Sequence, residues 1–276
     1  MTALSHLSLT ASSISLTAGV KLPPRLTSLQ FVVTGPTVAL PRQVLDLSRL
    51  VKLCLGQVLV ADELPALGPT ATDLSFIQCT GPAWLAKNTQ LQRLRLACQT
   101  VQSAEVDSGL SALLQLTCLV LDTKTAPIKV LSRLTNLHKL YVACDFGTTY
   151  GLWEMLHPCT WLANLRWLCA SVLQIALCSH ALGPASSLHR MSLFHSAAEA
   201  SSPESLAKIA ELGCFGVLYS TYWYPRLERV DLIVRPGAPA LPDFIHSGLL
   251  ELQRKRPSLL IARVEQGCAF PLGFID

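Results

Sequence analysis

Apolar residues return along this chain at a short, repeating interval. In "LQRLRLAC" (91–98) and "LHKLYVAC" (137–144) they take the first, fourth and sixth places. The same template, apolar-x-x-apolar-x-apolar, begins at Leu4, Leu26, Leu50, Ala71, Leu91, Leu116, Leu137, Leu165, Leu188 and Leu227. A degenerate last copy, "LLIARV", starts at Leu259. The first nine starts are 20 to 28 residues apart, and the last two intervals are 39 and 32. The fourth and sixth places lie two apart, so on a β-strand their side chains share one face. So short a strand does not bury that face alone. Stacking the next copy beside it hides both and extends the backbone ladder. The rest of each interval returns over the outside, so the strands run parallel.

The helical signals between these strands are brief. Ala126–Leu137 has an early Pro and apolar Ile128, Leu131 and Leu134 at helical spacing. Tyr150–Leu165 predicts a helix from Leu152 that stops before Pro158. Ser201–Gly213 opens on Ser, Pro and Glu and closes on Gly. Leu241–Pro257 is the clearest helix, with a stripe of Ile245, Leu249 and Leu252. It ends in Arg254, Lys255 and Arg256, a basic run read as complementing the helix C-terminus and staying solvated, with a nuclear-import or phosphate patch as the alternative. The first sixty residues are rich in Pro, Thr and Val and predict extended connections. The pattern opens at Leu4 without the polar capping unit such arrays need. That reads as a piece of a longer chain, with a first strand frayed or covered by a partner.

This pattern resembles leucine-rich repeat proteins, and the resemblance runs from Leu4 to about Val264. It implies an α/β solenoid of about 10–11 irregular repeats: a curved arc with parallel strands on the concave face and helices and loops on the convex face. The expectation is a single domain over residues 1–276, with weak repeats at 1–60, an insertion at 196–226, and a last helix and repeat at 241–276. The family usually carries Asn or Cys at the ninth template place, where a polar group ties neighbouring turns. Here that place holds Cys79 but also Thr34, Val58, Gln99 and Leu173. The uneven spacing resembles the ribonuclease-inhibitor-like and F-box-associated branch. The role it implies is protein recognition.

Composition narrows this further. Half of the residues are hydrophobic and 14% are charged, against roughly 25% in an average domain. A net charge of +4 falls short of a nucleic-acid footprint. The longest apolar stretch, Trp167–Cys178, is too short for a bilayer span of about 20 residues. No basic residue precedes Lys21, which argues against a secretory signal. The ten cysteines form no C-x-x-C pair. They read as small buried hydrophobes in a reducing, cytoplasmic compartment. No hydrolase, nucleotide-loop or zinc-helix motif occurs, and no cofactor or metal is expected. A thiol pair such as Cys144 with His189 is the remaining enzyme reading.

What the repeats present is a face. The third and fifth template places point away from the core and collect Arg93, Arg95, Lys139, Tyr141, Trp167, Arg190 and Arg229. One reading is a solvated strand face. The other is a recognition surface for an acidic or phosphorylated protein, since Arg, Tyr and Trp dominate interface hot spots. A second candidate is an aromatic loop with Tyr219, Tyr222 and Trp223, which either clamps a partner or fills space around the insertion. The function expected is a monomeric, non-catalytic scaffold. The alternatives are the substrate-recognition part of an F-box-type ubiquitin-ligase adaptor lacking its F-box, and a cytoskeletal or axonemal repeat protein.

Overall fold

The structure is a computed structural model that describes residues 4–12, 21–98, 103–123, 128–143, 159–178, 187–194, 203–212, 215, 218, 221, 224–234 and 242–265. The chain divides into two compact units, Met1–Asn136 and Leu137–Asp276.

In the first unit, six strands pair in parallel and in chain order. They are β1 (His6–Ala11), β2 (Ser28–Val33), β4 (Lys52–Gly56), β6 (Asp73–Ile77), β7 (Arg93–Cys98) and β8 (Cys118–Thr123). A two-residue pair, β3 (Val38–Ala39) with β5 (Val58–Leu59), forms a second small sheet. The fourth template place forms one row across all six strands: Leu7, Leu29, Leu53, Leu74, Leu94 and Leu119. From Leu29 onward each is at most 1% exposed. The sixth place forms the next inward row, where Phe31, Leu55, Phe76, Leu96 and Leu121 are fully buried. Each such side chain contributes about 1.5–3 kcal/mol. The burial of each depends on a neighbouring copy.

The second unit repeats the arrangement with β9 (Lys139–Val142), β10 (Trp167–Ser171), β11 (Arg190–Phe194), β12 (Arg229–Val234) and β13 (Leu260–Glu265), again parallel. Its fourth-place row is Leu140, Leu168, Met191 and Val230, all at most 1% exposed. This is the expected leucine-rich repeat fold, and the strands themselves show it.

One turn recurs ahead of the strands. The N–H of the first template residue donates to the carbonyl three residues earlier: Leu26 to Pro23, Leu50 to Leu47, Leu91 to Asn88, Leu165 to Leu162, Leu227 to Tyr224. The turn buries the first leucine and aims the chain into the sheet.

The last copy departs from its template. Leu259 makes this turn, with its N–H on Arg256, and is buried. Yet Leu260, not Ile261, lies opposite Arg229. One residue has been lost between anchor and strand, and a one-residue slip sends every side chain to the other face. Ala262 and Val264, expected inward, therefore share rows with Asp231 and Ile233, and Leu260 is 54% exposed.

The connections are shorter than expected. The helix expected at 126–137 is one turn, Ile128–Leu131, next to residues that the structure does not describe. The helix expected from Leu152 lies outside the described residues, and a 3-10 helix, Thr160–Asn164, follows them. The helices at Pro203–Leu212 and Asp243–Lys255 match their sequence signals, and Ile245, Leu249 and Leu252 form the buried stripe. Arg256, just beyond, is buried instead of solvated. No helix among the described residues is long and apolar enough to cross a membrane.

The polar tie between coils also moves. Cys79, at the ninth place, donates its thiol to the Leu55 carbonyl at 3.5 Å, and Cys98, one place earlier, does the same to Phe76. Gln57 and Gln78, both at the eighth place, adopt left-handed backbone with φ 55° and 51°, and their amides lie 2.9 Å apart. Neighbouring coils approach closely at Gly81, also left-handed, where a Cβ would stand 1.8 Å from the Val60 carbonyl oxygen.

Candidate functional site

The third template place in the first unit carries Lys52, Asp73 and Arg93 directly opposite one another. Asp73 is 1% exposed, with Arg93 Nε at 3.2 Å and Lys52 Nζ at 3.9 Å. Parallel pairing puts consecutive third places about 4.8 Å apart, so a carboxylate between two cations meets both. Arg95, two residues along β7, is half-buried on the same face.

The second unit builds a fuller version. Asp231, again 1% exposed, sits at the fifth place of β12. Its Oδ2 accepts from Arg190 Nε at 2.5 Å and its Oδ1 from Arg229 Nε at 2.6 Å. Ser192, directly opposite, donates to Oδ2 at 3.4 Å and accepts from the indole N–H of Trp167 at 2.8 Å. The Arg190 guanidinium then lies 3.8 Å from the Trp167 ring centroid, and Lys139 Nζ lies 5.4 Å from it on the other neighbouring strand. Each group thus fixes the next. The indole is held by a hydroxyl, the hydroxyl by a carboxylate, and the carboxylate holds two guanidiniums, one of them over the indole. Charge-assisted bonds and a stacked cation hold long side chains in one geometry.

Burial divides this face. At the third place, the side chains of Arg190 and Arg229 remain 32% and 39% exposed. At the fifth and seventh places, Tyr141, Cys169, Ser192, Asp231, Phe194 and Ile233 are nearly all inaccessible. Tyr141 stacks on Phe194, with centroids 5.6 Å apart. Trp167, 6% exposed, and Tyr141, 1% exposed, are therefore floor, while Lys139, Arg190 and Arg229 present the charge. In the first unit, Arg93 and Lys52 do so. Asp73 and Asp231 occupy third and fifth template places of the same face, and the basic residues named from the sequence do not reveal their role. Their signal is an acid at an outward strand place between basic ones. Tyr219, Tyr222 and Trp223 lie outside the described residues, while Phe215, Leu218 and Tyr224 around them are buried.

Four of the described thiols, Cys54, Cys79, Cys98 and Cys159, are poorly suited to nucleophilic work. Burial pushes Cys79 and Cys159 up to about 12 and Cys98 up to about 11, far from the low values of reactive cysteines. Burial also raises Cys54, although Arg95 and Lys52 pull it down. Cys144 lies outside the described residues. Among those described, no three His, Cys, Asp or Glu side chains converge to hold a metal.

No protein-family model and no curated protein matches the chain. Solved structures do align with it. They include the plant peptide hormone receptor RGFR1 in complex with RGF2, at 16% identity and TM-score 0.34 over 95% of this chain and 47% of that one. Another is the ectodomain of the plant membrane receptor kinase GASSHO1/SCHENGEN3 from Arabidopsis thaliana in complex with CASPARIAN STRIP INTEGRITY FACTOR 2, at 16% identity and TM-score 0.36 over 94% and 35%. A third is the Leptospira interrogans leucine-rich repeat protein LIC12759, at 13% identity and TM-score 0.29 over 94% and 89%. The chain spans less than half the length of the first two. These superpositions are loose, and the fold assignment stands on the strand register alone.

Proposed function

We propose that this leucine-rich repeat fold is a non-catalytic scaffold for an acidic protein segment, bound along the third-place row of its strands. The observation that carries this reading is the buried Asp231, which holds Arg190 and Arg229 side by side on the strand face. Cations already fixed in place lose little freedom when a carboxylate or phosphoryl group arrives. With Lys139 they make a short basic row above an aromatic floor, the composition that interface hot spots favour. The Lys52–Asp73–Arg93 cluster, with Arg95 beside it, supports the same reading in the first unit. The template continues through both units, which supports a single repeat domain over residues 1–276. Among the described residues, the reduced thiols of Cys54, Cys79 and Cys98 support a reducing, cytoplasmic setting. The uneven intervals support the F-box-associated branch, and with it a ligase-adaptor role.

The test is capture of a partner by the wild-type chain and by a variant with this cluster neutralised, combining Arg190→Gln, Arg229→Gln and Asp231→Asn. Capture that weakens with salt and disappears in the variant, with the circular dichroism spectrum intact, supports the row. Undiminished capture overturns it. Co-purification of ligase subunits, against co-sedimentation with microtubules, separates an adaptor from a cytoskeletal role.

A further inference from the structure

The turn that leads into each strand places one residue three before the anchoring leucine. At seven described turns of this kind that residue is uncharged: Pro23, Leu47, Gly68, Asn88, Leu113, Leu162 and Tyr224. At the eighth it is Arg256. Its guanidinium is turned into the protein and 7% of the residue is exposed. Nη1 donates to the Leu218 carbonyl at 3.2 Å, and Nη2 to those of Tyr224 and Leu227 at 3.1 and 3.0 Å. Among the described residues no carboxylate pairs with it. Those three bonds leave the Nε hydrogen and one Nη1 hydrogen of the five donors. A buried cation balanced only by neutral carbonyls is costly.

Beside Arg256 opens a cleft of about 550 Å³. Its lining adds Arg226, Lys255 and the hydroxyl residues Thr221 and Ser258, all exposed, with Glu228 as the one carboxylate. Three cations against one anion leave the lining net positive. Lys255 also reaches Glu251 at 3.4 Å, so its charge is shared. The volume far exceeds a monatomic ion. Guanidinium, ammonium and hydroxyl donors together suit a group with several acceptor oxygens.

We propose that this cleft binds a phosphate-class oxyanion, either inorganic phosphate or the phosphoryl group of a phosphorylated partner, with Arg256 as its buried cation. The site is separate from the basic row of the strand face, and the two readings stand or fall independently.

The experiment is calorimetric titration of the whole chain with inorganic phosphate and with a phosphoserine peptide, at constant ionic strength. Ser258→Asp is the principal variant: it puts a negative charge at an exposed lining position and leaves the Arg256 bonds untouched. Arg226→Ala is the second, also at an exposed site. Saturable phosphate binding weakened about tenfold or more by Ser258→Asp supports a free-anion site. Tighter binding of the phosphopeptide with the same loss assigns the oxyanion to a partner. Absence of saturable binding in both titrations overturns the proposal, as does binding that neither variant diminishes. Arg256→Lys is the weaker probe, since loss of the carbonyl bonds also loosens the fold.

Discussion

The guanidinium of Arg190 lies over the ring of Trp167, 3.8 Å from its centroid, and the two residues sit directly opposite each other on neighbouring parallel strands. Neither makes this contact alone. Ser192 holds the indole, Asp231 holds the guanidinium, and Ser192 and Asp231 are themselves opposite. Four residues from three strands form one unit because register places them in two adjacent rows.

That unit predicts a specific pattern of stability. Asp231→Asn leaves Arg190 and Arg229 close together without their shared carboxylate, and is expected to cost about 2 kcal/mol. The cost stays modest because both arginines are partly exposed. The triple variant with Arg190→Gln and Arg229→Gln removes the repulsion and recovers part of the loss. Urea denaturation of the three proteins measures both. A triple variant less stable than Asp231→Asn contradicts the arrangement.

The slipped register of β13 predicts a contrast between two leucines. Leu94→Ala opens a cavity in the continuous inner row and is expected to cost about 3 kcal/mol. Leu260→Ala, at a position 54% exposed, is expected to cost less than about 0.5 kcal/mol. Equal losses would mean that Leu260 is packed in the core and does not stand in the exposed row opposite Arg229.

Gly81 has left-handed backbone, and a Cβ there would collide with the Val60 carbonyl. Gly81→Ala combines backbone strain with a clash against backbone that has nowhere to move. It is expected to cost about 3 kcal/mol or more, read as a drop in Tm. A stable Gly81→Ala protein would show that this turn is not as close as drawn.

The buried thiols predict a fall in stability at alkaline pH. Below about pH 9, the ordinary thiol value, folded and unfolded chains both hold these protons and the thiols add no slope. Above it the unfolded chain releases them, while Cys98 and Cys79 keep theirs to about 11 and 12. Stability therefore decreases as pH rises from 9. Urea midpoints between pH 7 and 10.5 should stay level and then decline. In the native protein, iodoacetamide should label half-buried Cys54 well before Cys79, Cys98 or Cys159. A uniform labelling rate contradicts the burial.

The inner rows were readable one residue at a time, because two places on a strand share a face whatever surrounds it. The template therefore located all but one of the core strands in register, from β1 at His6 to β12 at Arg229. It misplaced β13, because the loss of one residue after Leu259 leaves the apolar spacing nearly unchanged. The expected polar tie at the ninth place was sought too narrowly. The chain meets the same need one place earlier with Gln57, Gln78 and Cys98, since any polar group that reaches a neighbouring coil will serve.

The amino-acid sequence by itself determined the parallel repeat, because burying a one-sided strand requires a neighbour of the same pattern. It also determined which residues face outward. Only the tertiary structure decided which outward residues remain accessible and which charges are already spent. Asp73 and Asp231 meet cations from strands 20 to 41 residues away in sequence, and Arg256 meets carbonyls 29 to 38 residues away. Register makes these residues neighbours, but which of them pair and which stay exposed depends on how their side chains and the connecting coils pack, which spacing along the chain does not encode.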